Sequence, residues 1–322
     1  MQTSIGGYPP GGVNHRLTIA LHHSLMDRAK LQKLGMIAAL VASLIGSGDA
    51  EAGKRKPWKD PGKPLVIDAY ELNIIDWQKL LTDKRIAGFI HKASDGLPES
   101  FSCTGDHGGD TVAHCKTMWR KYAVSKELYQ TRRLVARAAG LLWGAYHLAR
   151  PGNPIDQANH FLDYAEPDDK ELMVLDLEDL SDKFMSLEDA EIFVRHIKTR
   201  TGRYPILYTN HNVSRYIAAR RKDYRLLSRL PIWYARYKPE ISTAFPAGNW
   251  SNYFLWQFSS ASNCSKRHCP YRVPGTLTDI DVNVASVDLE ELKRIWAKGE
   301  LLPSVDPEPS LVAEAFLPYE PF

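Results

Sequence analysis

Short apolar runs recur between residues 65 and 285, each bounded by polar or Gly/Pro-bearing segments, with helically spaced stretches between them. Leu65-Val-Ile67-Asp68 reads as a buried strand that ends on acid. Residues 86–93, 141–147, 173–176, 205–209, 231–235 and 254–258 continue the series, and 279–283 supplies a short acidic eighth strand. Helical spacing covers residues 75–81, 116–139 closed by Gly140, 155–165, 187–201 closed by Gly202, a basic region through Leu230, and 287–298. The polar segment 97–117 reads as a long loop. Strands and helices in alternation mean βαβ units and a parallel sheet. About eight strands over roughly 230 residues suit an α/β fold of the TIM-like (β/α) barrel type, irregular because helices thin out in its last third. The rival is an open doubly wound sheet, but no Gly-rich phosphate loop follows the first strand.

Strand side chains alternate faces with a period of two. In Met173-Val-Leu-Asp176-Leu-Glu178, Asp176 and Glu178 therefore share a face, while Leu175 and Leu177 take the other. Two desolvated carboxyls on one face repel, which raises one pKa and makes an acid usable for glycosidic-bond cleavage. A solvated strand-to-helix corner would explain the same residues taken alone. Other strands also end on reactive groups: Asp68, Lys92, His147 and Tyr208, and later Gln257 and Asp281. In a barrel the C-terminal strand ends converge on one mouth. Asp68, Asp176, Glu178 and Asp281 then become a candidate set of catalytic carboxylates. Tyr146, Tyr208, Trp233, Tyr234 and Trp256 accompany them and could stack on the apolar faces of sugar rings, with ordinary core packing the alternative for each. His147 equally suits a satisfied buried histidine, and Lys92 a neutraliser of the acids.

Composition, at 44% hydrophobic and 25% charged, is that of a globular chain, and a net charge of +3 is too small to argue for nucleic acid. There is no internal repeat and no apolar run long enough to predict a spanning helix or a stable membrane anchor. Residues 1–25 are polar and patternless and are expected to be a non-native upstream extension. Residues 26–52 carry a basic head, an uncharged stretch over 34–48 and Ala50-Glu51-Ala52, the pattern of a cleaved secretory signal, so Met26 is the better initiator. The Lys/Pro-rich 53–64 reads as a linker, 65–299 as the barrel domain, and the Pro- and Glu-rich 300–322 as a disordered tail. Export to the periplasm or the extracellular space gives the four cysteines a meaning. Cys103, Cys115, Cys264 and Cys269 allow three connectivities, of which the local pairs Cys103–Cys115 and Cys264–Cys269 are expected. A zinc site is the rival, without C-x2-C spacing or a His pattern to support it. No metal or cofactor is required by these residues, and a monomer is expected.

The ordered blocks resemble glycoside hydrolase family 25, the Chalaropsis-type lysozymes or N-acetylmuramidases. They are Val-Ile-Asp68, Ile-Asp76-Trp77, Phe-Ile-His-Lys92-Ala-Ser-Asp-Gly96, Ala-Gly-Leu-Leu-Trp-Gly-Ala-Tyr146-His147, Leu-Asp176-Leu-Glu178, Ile-Leu-Tyr208, Trp233-Tyr-Ala-Arg-Tyr237, Trp256-Gln257 and Asp281-Val-Asn283. The resemblance implies an irregular β/α barrel that cleaves the β-1,4 bond between N-acetylmuramic acid and N-acetylglucosamine, with peptidoglycan glycan strands as its partner. By match of motif, Glu178 takes the place of the general acid. Asp176 matches the neighbouring acid that supports the reaction centre or orients the substrate acetamido group. Asp68 and Asp281 match the remaining acids, and His147 and Tyr208 match positions that line the sugar site. The chain departs from the family after Asp68, where Ala69-Tyr70-Glu71-Leu72 replaces the usual Ser and Gln, and in its Ser94-Asp95 pair. A non-catalytic wall-binding barrel and a hydrolase of another N-acetylated polysaccharide are the rival functions.

Overall fold

Eight strands close into a barrel in chain order in the computed structural model, which describes residues 56–98 and 111–306. They are β1 (Leu65–Ala69), β2 (Ile86–Asp95), β3 (Leu142–Leu148), β4 (Leu172–Asp176), β5 (Ile206–Asn210), β6 (Ile232–Ala235), β7 (Leu255–Ser259) and β8 (Asp281–Ala285). Neighbours from β1 through β7 pair in parallel. β8 closes the ring antiparallel to both β7 and β1, which corrects the expectation of a wholly parallel sheet. A parallel return needs a crossover, usually a helix. The segment 260–280 contains none, so the chain turns back directly.

Residue by residue, the strands alternate between two apolar layers. Val66, Ile90, Val174, Ile206, Trp233 and Leu255 fill the barrel. Ile67, Phe89, Leu175, Leu207 and Val282 face outward against the helices. Each such fully buried side chain contributes about 1.5–3 kcal/mol, so a one-residue slip in any strand would be severely unfavourable. Gly144 belongs to the inner layer, where a Cβ would come within 3.1 Å of Ile90 and 3.2 Å of Leu172.

The helices are α1 (Trp77–Leu80), α2 (Thr111–Ala138), α3 (Pro154–Ala165), α4 (Leu187–Thr201), α5 (His211–Ala219) and α6 (Leu289–Ile295). Capping sets several of their ends: Asp76, Ser186, Asn210 and Asp288 accept first-turn N–H groups, and Gly202 leaves α4 at φ 74°. α1 is shorter than the predicted 75–81. α2 begins at Thr111, so the end of the predicted 97–117 loop is helical. Among the described residues no α-helix separates β6, β7 and β8.

Two segments predicted as appendages belong to the barrel. In the expected linker, Trp58 is buried, stacked on Phe258 at 4.4 Å and edge-on to Trp256 at 5.1 Å. Arg85 binds the carbonyls of Trp58, Asp60 and Lys63 at 2.7–3.0 Å. The expected disordered tail is held as far as Asp306, through mutual Leu302–Arg229 bonds of 2.7 Å and an Arg221–Asp306 ion pair of 2.8 Å. The upstream extension, the expected signal, and residues 307–322 lie outside the described residues. Cys264 and Cys269 form a disulfide in the loop after β7, and the expected Cys103–Cys115 pair falls outside the described residues. No helix among the described residues is long and apolar enough to cross a membrane.

Candidate active site

Asp68 and Asp281 are direct partners across the antiparallel β1–β8 pair, and Gln257 and Asn283 are partners across β7–β8. All four point into the barrel near its mouth and bond to one another. Gln257 Nε2 donates to both oxygens of Asp68 at 3.2 and 3.3 Å and to Asp281 at 3.2 Å. Asn283 Nδ2 donates to Asp68 at 2.7 Å and to the Val66 carbonyl at 3.0 Å. Asn283 Oδ1 accepts from the indole of Trp233, which can only donate, so the direction of that amide is fixed. Burial raises the pKa of both acids. The Asn283 and Gln257 donors hold Asp68 down, whereas the charges of Asp68 and Glu178 raise Asp281 further.

Asp176 ends β4 and is buried, with its Oδ1 lacking a hydrogen-bond partner among the described residues. Desolvation, reinforced by Glu178, Asp68 and Asp95, pushes its carboxyl well above the usual range. Leu177 is fully buried on the outer side, and Thr209 Oγ1 donates to its carbonyl at 2.7 Å. The alternation thus carries past the last paired residue. Glu178 stands on the exposed rim, its backbone carbonyl held by Asn210. The surrounding protein raises its pKa against the opposing charge of Arg150. That arginine is forked onto Asp95 in an ion pair. Tyr146 and Tyr208 complete the ring. Their phenol pKa values are pushed far up by burial and by the acids, among which Asp176 and Asp68 act on both.

Other candidates fall elsewhere. His147 is fully buried behind the wall, bonded to Ser94 at 2.8 Å and Gln157 at 3.0 Å, with its ring 5.1 Å from that of Phe193. Tyr234 also faces outward, its hydroxyl 2.7 Å from His211 Nδ1, and Trp256 packs against Trp58 while donating to the Arg236 carbonyl at 2.8 Å. These three are wall residues. Trp233 does point inward, but as buried floor, edge-on to Tyr208 at 4.6 Å. Lys92 neutralises Glu71, at 2.9 Å, instead of the four acids. Beside it a cavity of about 330 Å³ opens between β2, α2 and α3, lined in part by Glu71, Asp95, Tyr122, His160 and Tyr164. Sequence reasoning gave no role to Asn283, Tyr237 or Arg150. The first two lie two residues beyond the inward-facing Asp281 and Ala235, which is a usable signal; Arg150 offered none.

Residues 116–266, which span β3 to β7 and two of the four acids, match the family model of the glycosyl hydrolases family 25. Over that stretch the barrel is similar to the family 25 glycosyl hydrolases. Among solved structures the chain is similar to the muramidase from Acremonium alcalophilum, at 19% identity over 74% of this chain and 100% of that chain, with a TM-score of 0.51. It is also similar to the bacterial lysozyme from Streptomyces coelicolor (21%, 74% and 98%, TM-score 0.49). A third is the family GH25 lysozyme from Aspergillus fumigatus (20%, 73% and 99%, TM-score 0.48). At such identities the first of these speaks for the fold of the barrel alone. A comparison with curated protein sequences finds no match.

Proposed function

We propose that this protein is a lysozyme-type endo-N-acetylmuramidase, which cuts the β-1,4 bond between N-acetylmuramic acid and N-acetylglucosamine in peptidoglycan, with Glu178 as general acid. The observation that carries this reading is the gradient across the four carboxyls. Glu178 is the one on the open rim, and its environment favours the protonated form that a leaving glycosidic oxygen requires. Buried Asp176, its carboxyl pushed up by desolvation and with an oxygen lacking a partner among the described residues, suits an acetamido group next to the scissile bond. Asp68 supplies negative charge for an oxocarbenium-like transition state. The match of residues 116–266 to the glycosyl hydrolases family 25 supports the substrate class.

The test is digestion of purified peptidoglycan with the full chain, followed by analysis of the new reducing ends. Muramic acid ends that fall by about 10²–10⁴-fold in Glu178→Gln are expected. Binding without new ends would favour a wall-binding module, glucosamine ends another specificity, and undiminished cleavage by Glu178→Gln another acid.

A further inference from the structure

Gln257 has every hydrogen-bonding position of its side chain occupied by protein. Its Oε1 accepts from the hydroxyls of Tyr208 at 2.8 Å and Tyr237 at 2.6 Å. Its Nε2 spends its donors on Asp68 and Asp281. Nothing remains for a sugar, although the position of Gln257 at the mouth suggests a ligand contact. The acids set the direction of this amide: flipped, it would turn an acceptor toward carboxylates that cannot donate when ionised, while the tyrosine hydroxyls could serve either orientation.

The acids it joins are directly opposite each other on an antiparallel pair, where like charges are unfavourable, and no cation among the described residues is paired with either. Their donor supply is unequal. Asp68 receives Asn283 at 2.7 Å in addition to Gln257, while among the described residues Asp281 receives Gln257 alone. Hydrogen bonds to the charged form favour charge. We infer that Gln257 is a positioning residue: its amide, anchored by Tyr208 and Tyr237, holds Asp68 and Asp281 as a pair sharing one proton, with the charge on Asp68 and the proton on Asp281.

The other groups that face this pair are Asp176 and Glu178 from the end of β4, Tyr146 from β3, Tyr208 from β5, Tyr237 beyond β6, and Asp279 before β8. The nearby cations, Lys92 and Arg150, are engaged with Glu71 and Asp95. The surroundings therefore add negative charge, which reinforces retention of one proton. The catalytic consequence rests on the hydrolase reading above: the arrangement keeps a fixed single charge beside the reacting sugar where two would repel.

The experiment is a carboxyl-carbon NMR titration of the full chain carrying labelled aspartate, with resonances assigned through Asp68→Asn and Asp281→Asn. In the wild-type protein Asp281 should remain protonated at neutral pH while Asp68 is ionised. In Gln257→Met the Asp68 titration should move up by about one pH unit, a tenfold change in proton affinity. On peptidoglycan the acidic limb of kcat should follow, with KM changed less than about twofold. Joint ionisation of both acids below neutral pH, or a raised KM with unchanged kcat in Gln257→Met, would overturn the assignment. If that variant does not fold, Tyr237→Phe should move the same titration in the same direction by less, and an unmoved titration there counts against the proposal. The titration needs no substrate, so failure to cleave peptidoglycan refutes the functional reading and leaves the proton-sharing pair to stand or fall by itself.

Discussion

Tyr146 and His147 are adjacent on β3 and face opposite sides of the barrel wall. The Tyr146 phenol feels Asp176, Asp68 and Asp281 at the mouth, and the His147 ring lies between Ser94, Gln157 and Phe193 under the helices. Substitutions should therefore separate activity from stability. Tyr146→Phe should lower kcat/KM by about tenfold, the worth of one hydrogen bond to a charged or reacting group, and change stability by less than about 1 kcal/mol. His147→Phe should cost about 1–3 kcal/mol in urea denaturation, because it strands the buried Ser94 hydroxyl and removes one of the two donors to Gln157 Oε1, while turnover per folded molecule changes little. The reverse pattern would place His147 in the sugar site after all.

The same burial makes His147 a pH-dependent contributor to stability. Its pKa falls from 6.5 to about 4, chiefly by desolvation against a weaker opposing bond from Gln157. Between those values the unfolded chain binds the proton and the folded chain does not. Stability is therefore intact above about 6.5 and is lost as pH falls toward 4, by about 3 kcal/mol for the full shift. His91, likewise buried and shifted to about 3, acts in the same direction. Asp68, Asp176 and Asp281 act oppositely, since their raised values make the folded state the better proton binder in this window. The clean measurement is the difference in unfolding free energy between wild type and His147→Phe at several pH values. It should shrink as pH is lowered from 6.5 to 4, and a constant difference would mean that His147 is not held neutral.

Arg150 opposes the desolvation that raises the pKa of Glu178. Arg150→Met should leave Glu178 with a still higher pKa, so the alkaline limb of the kcat–pH profile should move to higher pH. Loss of the Asp95 ion pair should cost less than about 1 kcal/mol, because both side chains are substantially exposed. An alkaline limb that stays in place would show that it does not report Glu178.

Period-two alternation, applied more strictly, reads much of this site from the residues. It correctly placed Asp176 and Glu178 on one side with Leu177 on the other. The pairs Tyr146–His147, Trp233–Tyr234 and Trp256–Gln257 are each adjacent on one strand, so only one member of each can enter the barrel. Taking both members as candidates ignored that constraint, and the inward members are Tyr146, Trp233 and Gln257. The strand count and order were legible because apolar runs and helix caps punctuate this chain clearly, as at Ser186 and Gly202. The direction of β8 was not, since alternation is the same for a strand running either way. Arg150 was illegible for another reason: its place depends on how the loop after β3 meets Asp95, which no local spacing encodes.

Trp58 was misjudged because its neighbours, Lys and Pro, carry the composition of a linker. One indole decides the matter. It covers Phe258 and Trp256 on the outside of β7, and it lies on the turn that Arg85 ties down through three carbonyls. Trp256 in turn occupies the wall position next to Gln257, the residue that aligns Asp68 and Asp281. Trp58→Ala should destabilise the protein by about 3–5 kcal/mol, the usual cost of emptying a large aromatic site. Trp58→Phe should recover more than half of that, because stacking on Phe258 survives. A chain begun at residue 65 should show at least the loss of Trp58→Ala when its urea midpoint is compared with the full chain. Equal midpoints for the two would return residues 56–64 to the status of a linker.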